Sequence, residues 1–198
     1  MEHVQRFGDE RDQSAAHLLR ANQNIDSDEE WAKHVNYYLE QFDLEPISLL
    51  PGDAPRYFRI TTPISKKVLD GPLVTILVPA FNAANFIDFS VGSLLHQTWQ
   101  NIEVILIDDA STDETWLIMQ SLAARDSRVK ILRNKVNVGP YVAKNQALQI
   151  ARGEFITGHD ADDWAHPQNT RVHVQTMLSD RLIKASHCYH CLLYTSDA

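Results

Sequence analysis

The residues of this chain best suited to chemistry lie in one acidic stretch, Gly158-His159-Asp160-Ala161-Asp162-Asp163-Trp164. The apolar run before it, residues 154–157, predicts a short buried strand. Three carboxylates within four residues repel one another unless a positive charge lies between them. Mg²⁺ and Mn²⁺ prefer oxygen ligands and leave positions open for substrate phosphates. The stretch therefore predicts a divalent-metal site or a solvated acidic loop, and it lacks the glycine and distal glutamate of an EF-hand.

The bulk composition is that of a soluble chain with enough apolar residues for a core. Its 198 residues allow one ordinary domain and an appendage, and 44% of them are hydrophobic. The formal net charge of −8 argues against a nucleic-acid partner. The sequence contains neither an apolar run of membrane-spanning length nor a signal peptide at Met1–Arg6. We therefore expect a cytoplasmic protein, and association with the inner face of the plasma membrane is compatible with this.

Residues 1–44 are expected to form a helical N-terminal segment. A short helix is predicted around residues 14–20, and a longer one begins after Ser27, which forms an S-x-x-E capping box with Glu30. One face of the longer helix is apolar and aromatic, comprising Trp31, Val35, Tyr38, Leu39 and Phe42. We expect that face to pack on the domain that follows.

Prolines recur at positions 46, 51, 55 and 63, which predicts an extended connector over residues 45–71. From residue 72 onward, apolar β-branched runs alternate with helical patterns. Strands are predicted at 73–78, 102–107, 129–132 and 155–157. Helices are predicted at 84–99, at 113–124, from Pro140 with Gly153 as C-cap, and from Pro167 toward Met177. This alternation predicts a Rossmann-like α/β fold, a mostly parallel sheet flanked by helices.

Ligands of such sheets bind outside the carboxyl ends of the strands. Polar clusters follow three of the predicted strands there, namely Pro79-Ala80-Phe81-Asn82, Asp108-Asp109-Ala110-Ser111-Thr112-Asp113 and Asp160-Ala161-Asp162-Asp163. The remaining strand leads through Asn134, Asn137, Val138 and Gly139 into the Pro140 helix. Two carboxylate clusters at one sheet edge indicate a metal site or a nucleotide site.

These segments, in this order and spacing, resemble family 2 glycosyltransferases of the GT-A fold. The residues that carry the resemblance are 78–82 (VPAFN), 107–113 (IDDASTD), 137–139 (NVG) with Lys144-Asn145, 151–154 (ARGE) and 160–163 (DADD). The resemblance covers about residues 72–190, which would then be the N-terminal, donor-binding part of a GT-A domain. Residues 1–71 carry no comparable motif.

The resemblance implies a nucleotide-sugar donor, commonly a UDP-sugar, and inverting transfer of the sugar to a hydroxyl. The setting implied is bacterial polysaccharide or glycoconjugate synthesis. By the same resemblance Pro79, Ala80 and Asn82 lie beside the nucleoside. Asp109 hydrogen-bonds the base, and Asp108 helps to shape that pocket.

Asp160 and Asp162 match the D-x-D acids that hold ribose and metal, and Asp162 is the expected direct ligand of Mn²⁺ or Mg²⁺. Asp163 would support them or face the acceptor. Lys144 would add a positive charge near the phosphates, or would simply be solvated. Metal dependence also follows from charge, because the same carboxylates would repel the donor diphosphate without a bridging cation.

The general base of such enzymes lies well beyond the D-x-D acids, and neither Asp180 nor Asp197 stands in a matching motif. The catalytic base is therefore unassigned, and we expect a C-terminally truncated, inactive fragment that binds donor. Residues 191–198 (CLLYTSDA) resemble read-through of a sequencing adapter and are expected to be a non-native tail. A zinc site in His187-Cys188-Tyr189-His190-Cys191 is the alternative, although its spacing is tighter than that of Cys/His fingers.

Two other functions remain open from the residues. Another nucleotide-using transferase is one, but no G-x-G-x-x-G or P-loop follows any predicted strand. A non-catalytic interaction module built on a GT-A scaffold is the other. The acceptor, a saccharide or a glycolipid, is not specified by any motif.

Overall fold

The structure, a computed structural model, describes residues 10–23, 26–63 and 66–186. These residues form two compact units, the first within residues 10–63 and the second spanning Lys66–Ser186. The zinc alternative at residues 187–191 and the expected non-native tail at 191–198 lie outside the described residues. None of the described helices is long and apolar enough to cross a membrane.

The first unit is built on two helices that pack against each other, α1 (Glu10–Gln23) and α2 (Asp28–Glu40). The Ser27 hydroxyl accepts a hydrogen bond from the Glu30 amide at 3.2 Å, so it caps α2 as predicted. The Glu30 carboxylate pairs with Lys33 at 3.1 Å. Ser27 thus makes its half of the expected capping box, while Glu30 bonds along its own helix.

One face of α2 is buried at helical spacing through Trp31, Val35 and Leu39. Phe42, expected on the same face, is 44% exposed because the helix ends before it. Arg56 lies with its guanidinium carbon 5.2 Å from the centroid of the Trp31 ring. The aromatic face is therefore already covered in part by its own unit, and its packing on the second unit stays a prediction.

Residues 45–63 carry short elements where the prolines predict an extended connector. Strand β1 (Ser48–Leu49) pairs antiparallel with β2 (Ile60–Thr61), and a 3₁₀ helix spans Arg56–Arg59. The Asn36 side chain of α2 accepts from the Ile47 amide at 2.8 Å and donates to its carbonyl at 2.9 Å. Prolines exclude long regular elements but leave such side-chain bonds free to form.

The second unit contains a four-stranded, wholly parallel sheet in the order β5-β4-β3-β6. Its strands are β3 (Val74–Ala80), β4 (Ile102–Asp108), β5 (Val129–Arg133) and β6 (Phe155–Gly158). Its helices are α3 (Ile87–Leu95), α4 (Thr115–Arg125), α5 (Pro140–Leu148) and α6 (Asn169–Ser179). This confirms the predicted α/β class with a parallel sheet flanked by helices.

Alternate side chains of the central strands feed two cores, one on each face of the sheet. The larger core joins residues such as Ile76 and Leu106 to Val91 of α3 and Met119 of α4. The smaller core joins Leu77, Ile105 and Ile107 to Ala143 and Ala147 of α5. Both alanines are fully buried, and their small side chains let α5 approach the sheet closely.

Two local predictions differ from the structure. Strand β6, expected to be buried, has Ile156 49% exposed, because β6 is an edge strand that pairs only with β3 among the described residues. In α3 the buried positions include Ile87 and Val91, while Phe86 and Phe89 are only partly buried. The helix begins three residues later than predicted, and its buried apolar positions are Ile87, Val91 and the predicted Leu94, at i, i+4 and i+7.

Gly153 is not the C-cap of α5, since that helix ends at Leu148 with Gln149 as its cap. Gly153 instead lies against β3, and its amide donates to the Thr75 hydroxyl at 2.9 Å. A Cβ at this position would lie 2.5 Å from the Thr75 amide nitrogen. The glycine is therefore required by close approach of two backbones.

A buried carboxylate ties three strands together near Gly153. Glu103 of β4 accepts from the Thr75 hydroxyl and from Lys130 of β5, both at 2.6 Å. The Arg152 amide donates to it as well, at 2.6 Å. Burial by itself raises the pKa of Glu103, but these bonds outweigh it and lower the pKa to about 2.

Glu103→Gln should destabilise the second unit by about 2–3 kcal/mol at pH 7, because a buried ionised partner of Lys130 is lost. The folded pKa of Glu103 lies below its usual value of 4.5, so its contribution is complete above pH 4.5 and is lost between pH 4.5 and about 2. Unfolding measured by circular dichroism across this range should show a shallower pH dependence in the variant. The exposed Glu154→Gln serves as control, and equal pH dependence of all three proteins would contradict the assignment.

Gly153→Ala should destabilise by about 1–3 kcal/mol, because the new methyl group forces β3 and the segment before β6 apart. Gly92→Ala in α3 is the matched control, since a Cβ there meets nothing within 4 Å. That change should stabilise the helix by about 0.5–1 kcal/mol. Urea unfolding of both variants decides the matter, and a neutral Gly153→Ala would refute the close approach.

Candidate functional site

The strand order reverses between β3 and β6, which creates a crevice at the carboxyl edge of the sheet. Strand β6 pairs with β3 only from Val74 to Leu77, whereas β4 pairs with β3 as far as Ala80. The last residues of β3 therefore border an opening on the β6 side. Segments that follow β3, β4 and β6 all begin at this edge.

Pro79 lies in β3 at a position where no neighbouring strand would accept a hydrogen bond from its backbone nitrogen, so the lack of an N–H in proline costs no strand pairing. The Leu77 carbonyl accepts from the His159 amide at 3.0 Å, so Leu77 faces β6, and Pro79, two residues on, faces the same side. Because β6 has already ended there, no ladder bond is lost. Ala80 is buried, and its carbonyl accepts from the Asp109 amide on the β4 side at 2.8 Å.

The loop after β3 is fastened to the loop after β4 through Asn82. Asn82 has a φ of 51°, in the left-handed region, which asparagine tolerates better than most residues. Its amide donates to the Ser111 hydroxyl at 3.0 Å, and its side-chain oxygen accepts from the Thr112 amide at 2.9 Å. Asn82 thus shapes both loops, and its side chain remains at the surface.

Asp108 is wholly buried at the end of β4. Its Oδ1 accepts from the Ser111 amide at 3.1 Å, and its Oδ2 lies 2.9 Å from Arg133 Nε. The Arg133 guanidinium carbon lies 5.1 Å from the centroid of the Trp116 ring. The Asp108 carboxylate is thereby compensated by a cation that lies at the same sheet edge.

Asp109 is also buried, with 3% of its surface exposed. Its carboxylate accepts from Asn134 Nδ2 at 2.8 Å, from the Val138 amide at 3.0 Å and from the Gly139 amide at 2.7 Å. Burial by itself raises the pKa of Asp109, but these hydrogen bonds outweigh it and hold the pKa below its usual value. The contact between Asp109 and a nucleobase stays a prediction.

The acidic stretch forms a turn directly after β6, in which the Asp163 amide donates to the Asp160 carbonyl at 3.1 Å. Ala161 is buried in the larger core. Asp160 and Asp162, on either side of it, are exposed. In this D-x-D stretch the buried middle residue, Ala161, therefore anchors the turn, and the two flanking carboxylates remain in solvent.

Lys144 of α5 reaches the D-x-D turn. Its amine lies 3.4 Å from Asp160 Oδ1. Its side chain crosses the backbone of β6 at Gly158, where a Cβ would lie 3.2 Å from Nζ and 3.5 Å from Cε of Lys144. The structure thus brings Lys144 and Asp160 together, and the contact of either residue with a donor stays a prediction.

Sequence reasoning missed a set of buried polar residues on and after α3 that hold the acidic turn and the segment behind it. The Ser90 hydroxyl donates to the Asp160 carbonyl at 3.3 Å, and the Ser93 hydroxyl accepts from the Ala165 amide at 3.0 Å. Gln97, fully buried, donates to the His166 carbonyl at 2.8 Å. Three polar residues at i, i+3 and i+7 within an apolar helix pattern were the available signal.

The exposed acids Asp160 and Asp162 suit a metal ion whose remaining coordination positions are filled by the phosphates of a bound ligand. Within residues 10–23, 26–63 and 66–186, no group of three or more His, Cys, Asp or Glu side chains is arranged to hold a metal ion. Asp160 and Asp162 supply hard oxygen donors, and Mg²⁺ is commonly bound by one or two carboxylates together with substrate phosphates. The residues present therefore fit a Mg²⁺ or Mn²⁺ ion that binds with a phosphorylated ligand.

The sequence of the chain matches known proteins of one family. A model of glycosyl transferase family 2 matches residues 75–189, more than half of the chain. A glycosyltransferase of Haemophilus influenzae is 38% identical over 112 residues, which are 57% of this chain and 45% of the relative. The Escherichia coli UDP-Glc:alpha-D-GlcNAc-diphosphoundecaprenol beta-1,3-glucosyltransferase WfaP is 42% identical over 92 residues, 46% of this chain and 36% of that enzyme.

Among solved structures, S. aureus TarS 1–349 in complex with UDP-GlcNAc is similar, with a TM-score of 0.50 and 28% sequence identity. The similarity covers 55% of this chain and 32% of TarS, so the chain spans less than half the length of the proteins it resembles. The family match, at residues 75–189, lies almost entirely in the second unit and includes the loops that follow β3, β4 and β6. The chain belongs to glycosyl transferase family 2.

Proposed function

We propose that this chain supplies the donor side of a sugar transfer and binds a UDP-sugar at the crevice between β3 and β6. One observation carries the proposal: two exposed carboxylates, Asp160 and Asp162, lie with Lys144 at the switch point of a parallel sheet. Solvent-exposed acids gathered at a ligand crevice cost stability through repulsion, and a bound cation with phosphates removes that cost. The UDP-GlcNAc bound to TarS supports the choice of nucleotide.

Each predicted residue has a role in this proposal. Pro79, Ala80 and Asn82 form the wall beside the nucleoside, Asp109 hydrogen-bonds the base, and Asp108 helps to shape that pocket. Asp160 lies near the ribose and Asp162 is the direct metal ligand. Lys144 places a positive charge beside the phosphates. These roles agree with the burial of Asp108 and Asp109 and with the exposure of Asp160 and Asp162.

Asp162, together with Asp160, would hold the Mg²⁺ or Mn²⁺ ion, which would supply the positive charge that stabilises a departing nucleoside diphosphate. The protein itself holds Asp160 and Asp162 on a turn fixed by buried Ala161 and by α3. Lys144 is partly neutralised by Asp160 before ligand binds, and phosphate oxygens offer it a stronger partner. Donor binding should therefore loosen the contact between these two side chains.

The transfer itself is proposed to invert the anomeric centre and to use a hydroxyl of a saccharide or glycolipid as acceptor, in polysaccharide or glycoconjugate synthesis. WfaP, named for a diphosphoundecaprenol acceptor, supports a lipid-linked sugar. Such an acceptor favours a cytoplasmic site of action at the inner face of the membrane. We assign no general base among the described residues, because Asp180 carries no matching motif.

Binding of UDP should require both divalent metal and Asp162. In isothermal titration calorimetry with Mn²⁺, Asp162→Asn should weaken UDP binding at least about tenfold, close to 1.4 kcal/mol. EDTA should lower the affinity of the wild-type protein for UDP by a similar factor, because the carboxylates and the diphosphate repel each other once the metal is removed. If Asp162→Asn binds UDP more weakly than the wild type by the same factor in EDTA as in Mn²⁺, Asp162 contributes to UDP binding independently of the metal.

Glu154→Gln is the matched control, since it removes one exposed carboxylate directly before β6, at the opposite end of that strand from the acidic turn. Its UDP affinity should equal that of the wild type. Equal affinity of Asp162→Asn and wild type with Mn²⁺ would overturn the metal assignment. Tighter binding of ATP than of UDP would favour another nucleotide-using transferase, and absence of any nucleotide binding would favour an interaction module.

A further inference from the structure

His159 lies directly between the end of β6 and the first acid of the D-x-D turn. Its amide donates to the Leu77 carbonyl of β3 at 3.0 Å, so the backbone that enters the turn is fixed to the sheet. Its ring nitrogen Nε2 lies 3.2 Å from the Asp163 carbonyl and 3.1 Å from the Ser90 hydroxyl. The His159 side chain therefore connects the start of the turn to its end and to α3.

The hydrogen bonds around Nε2 of His159 determine which atoms donate. A carbonyl oxygen can only accept, so the contact with Asp163 requires a hydrogen on Nε2. The Ser90 hydroxyl then accepts from the same N–H and donates its own hydrogen to the Asp160 carbonyl at 3.3 Å. The imidazole and the hydroxyl thus link the two carbonyls that lie at the beginning and the end of the acidic turn.

These side-chain bonds act on the same piece of backbone as the bond within the turn, from the Asp163 amide to the Asp160 carbonyl at 3.1 Å. Ser90 is fully buried in α3, so its hydroxyl has a fixed position to which the turn is attached. The carboxylates of Asp160 and Asp162 project from this backbone into solvent. A backbone held from both ends gives exposed groups a defined position, which metal binding requires.

We infer that His159 is a positioning residue of the donor site, which together with Ser90 holds the turn that presents Asp160 and Asp162 to a divalent metal and its diphosphate. The inference rests on the proposed function, because it concerns the same site. Groups that orient metal ligands commonly change metal affinity by about tenfold or more when they are removed. Loss of the Nε2 donor should therefore act on the metal-dependent part of UDP binding.

Two substitutions of His159 separate the donor from the bulk of the ring. His159→Leu removes the N–H, whereas His159→Gln offers a side-chain amide N–H in place of Nε2. In calorimetry with Mn²⁺, His159→Leu should bind UDP about tenfold more weakly than the wild type, and His159→Gln should recover most of that loss. In EDTA the three proteins should bind UDP with equal affinity, since a loss confined to Mn²⁺ is not expected from lower overall stability.

His173→Leu is the matched control, because His173 is also a half-buried histidine bonded to a serine hydroxyl, with Nδ1 2.7 Å from Ser186 Oγ. Its UDP affinity in Mn²⁺ should equal that of the wild type. Amide hydrogen exchange tests the turn without any ligand. The exchange rate of the Asp163 amide should rise about tenfold in His159→Leu and should stay unchanged in His173→Leu.

Ser90→Ala tests the other half of the contact and replaces His159→Leu should the latter fail to fold. Because both residues act through one series of hydrogen bonds, the losses of UDP affinity in Mn²⁺ should not add in the double variant. Additive losses, or a loss in His159→Gln as large as in His159→Leu, would overturn the inference and assign His159 a direct contact with the ligand.

Unchanged UDP affinity and unchanged Asp163 exchange in His159→Leu would refute the positioning role by itself. A wild-type protein without UDP affinity in Mn²⁺ would instead refute the proposed function, and this role of His159 with it.

Discussion

The pairing of β3 determines where everything else in the second unit can lie. On one side β4 follows β3 to Ala80, and on the other side β6 leaves it after Leu77. Because β6 ends earlier than β4, a crevice opens beside Pro79, where β3 forms no strand hydrogen bonds on the β6 side. The acidic turn and the Asn82 loop begin at the carboxyl ends of β6 and β3, and α5, which follows β5, reaches the acidic turn through Lys144. A parallel sheet with both faces covered requires this edge to carry the ligands.

The carboxylates at the edge are sorted by burial. Asp108 and Asp109 are out of solvent and are compensated by Arg133 and by backbone amides, as buried charges must be. Asp160 and Asp162 are exposed, and the Lys144 amine lies 3.4 Å from Asp160 Oδ1. The first pair is therefore compensated within the fold, whereas the second pair remains exposed to solvent. This division explains how one sheet edge can tolerate two acidic clusters.

The segment that carries the exposed pair has little regular structure of its own. Between β6 and α6 its backbone is held by side chains of Ser90, Ser93 and Gln97, which are buried and lie on or directly after α3. These bonds replace the ladder or helix bonds that an irregular segment lacks. A functional turn supported in this way keeps a defined position, which catalytic and binding groups require. The helix α3 thus helps to fix the position of the acidic turn.

The sequence by itself determined the alternation of strands and helices, the parallel sheet and the family, because apolar periodicity and the spacing of Pro79, Asn82, Asp109 and Asp162 are local patterns. It also indicated which loops share the sheet edge. Only the tertiary structure decided which acids are buried and what they contact, because burial and hydrogen-bond partners come from residues distant in the chain: Asp109 contacts Val138 and Gly139, and Asp160 contacts Lys144. The role of Gly153 was likewise decided by the tertiary structure: the local pattern predicted a helix C-cap, whereas the glycine allows close contact with Thr75. Local rules describe one element at a time, whereas the role of a polar side chain depends on which other element packs against it.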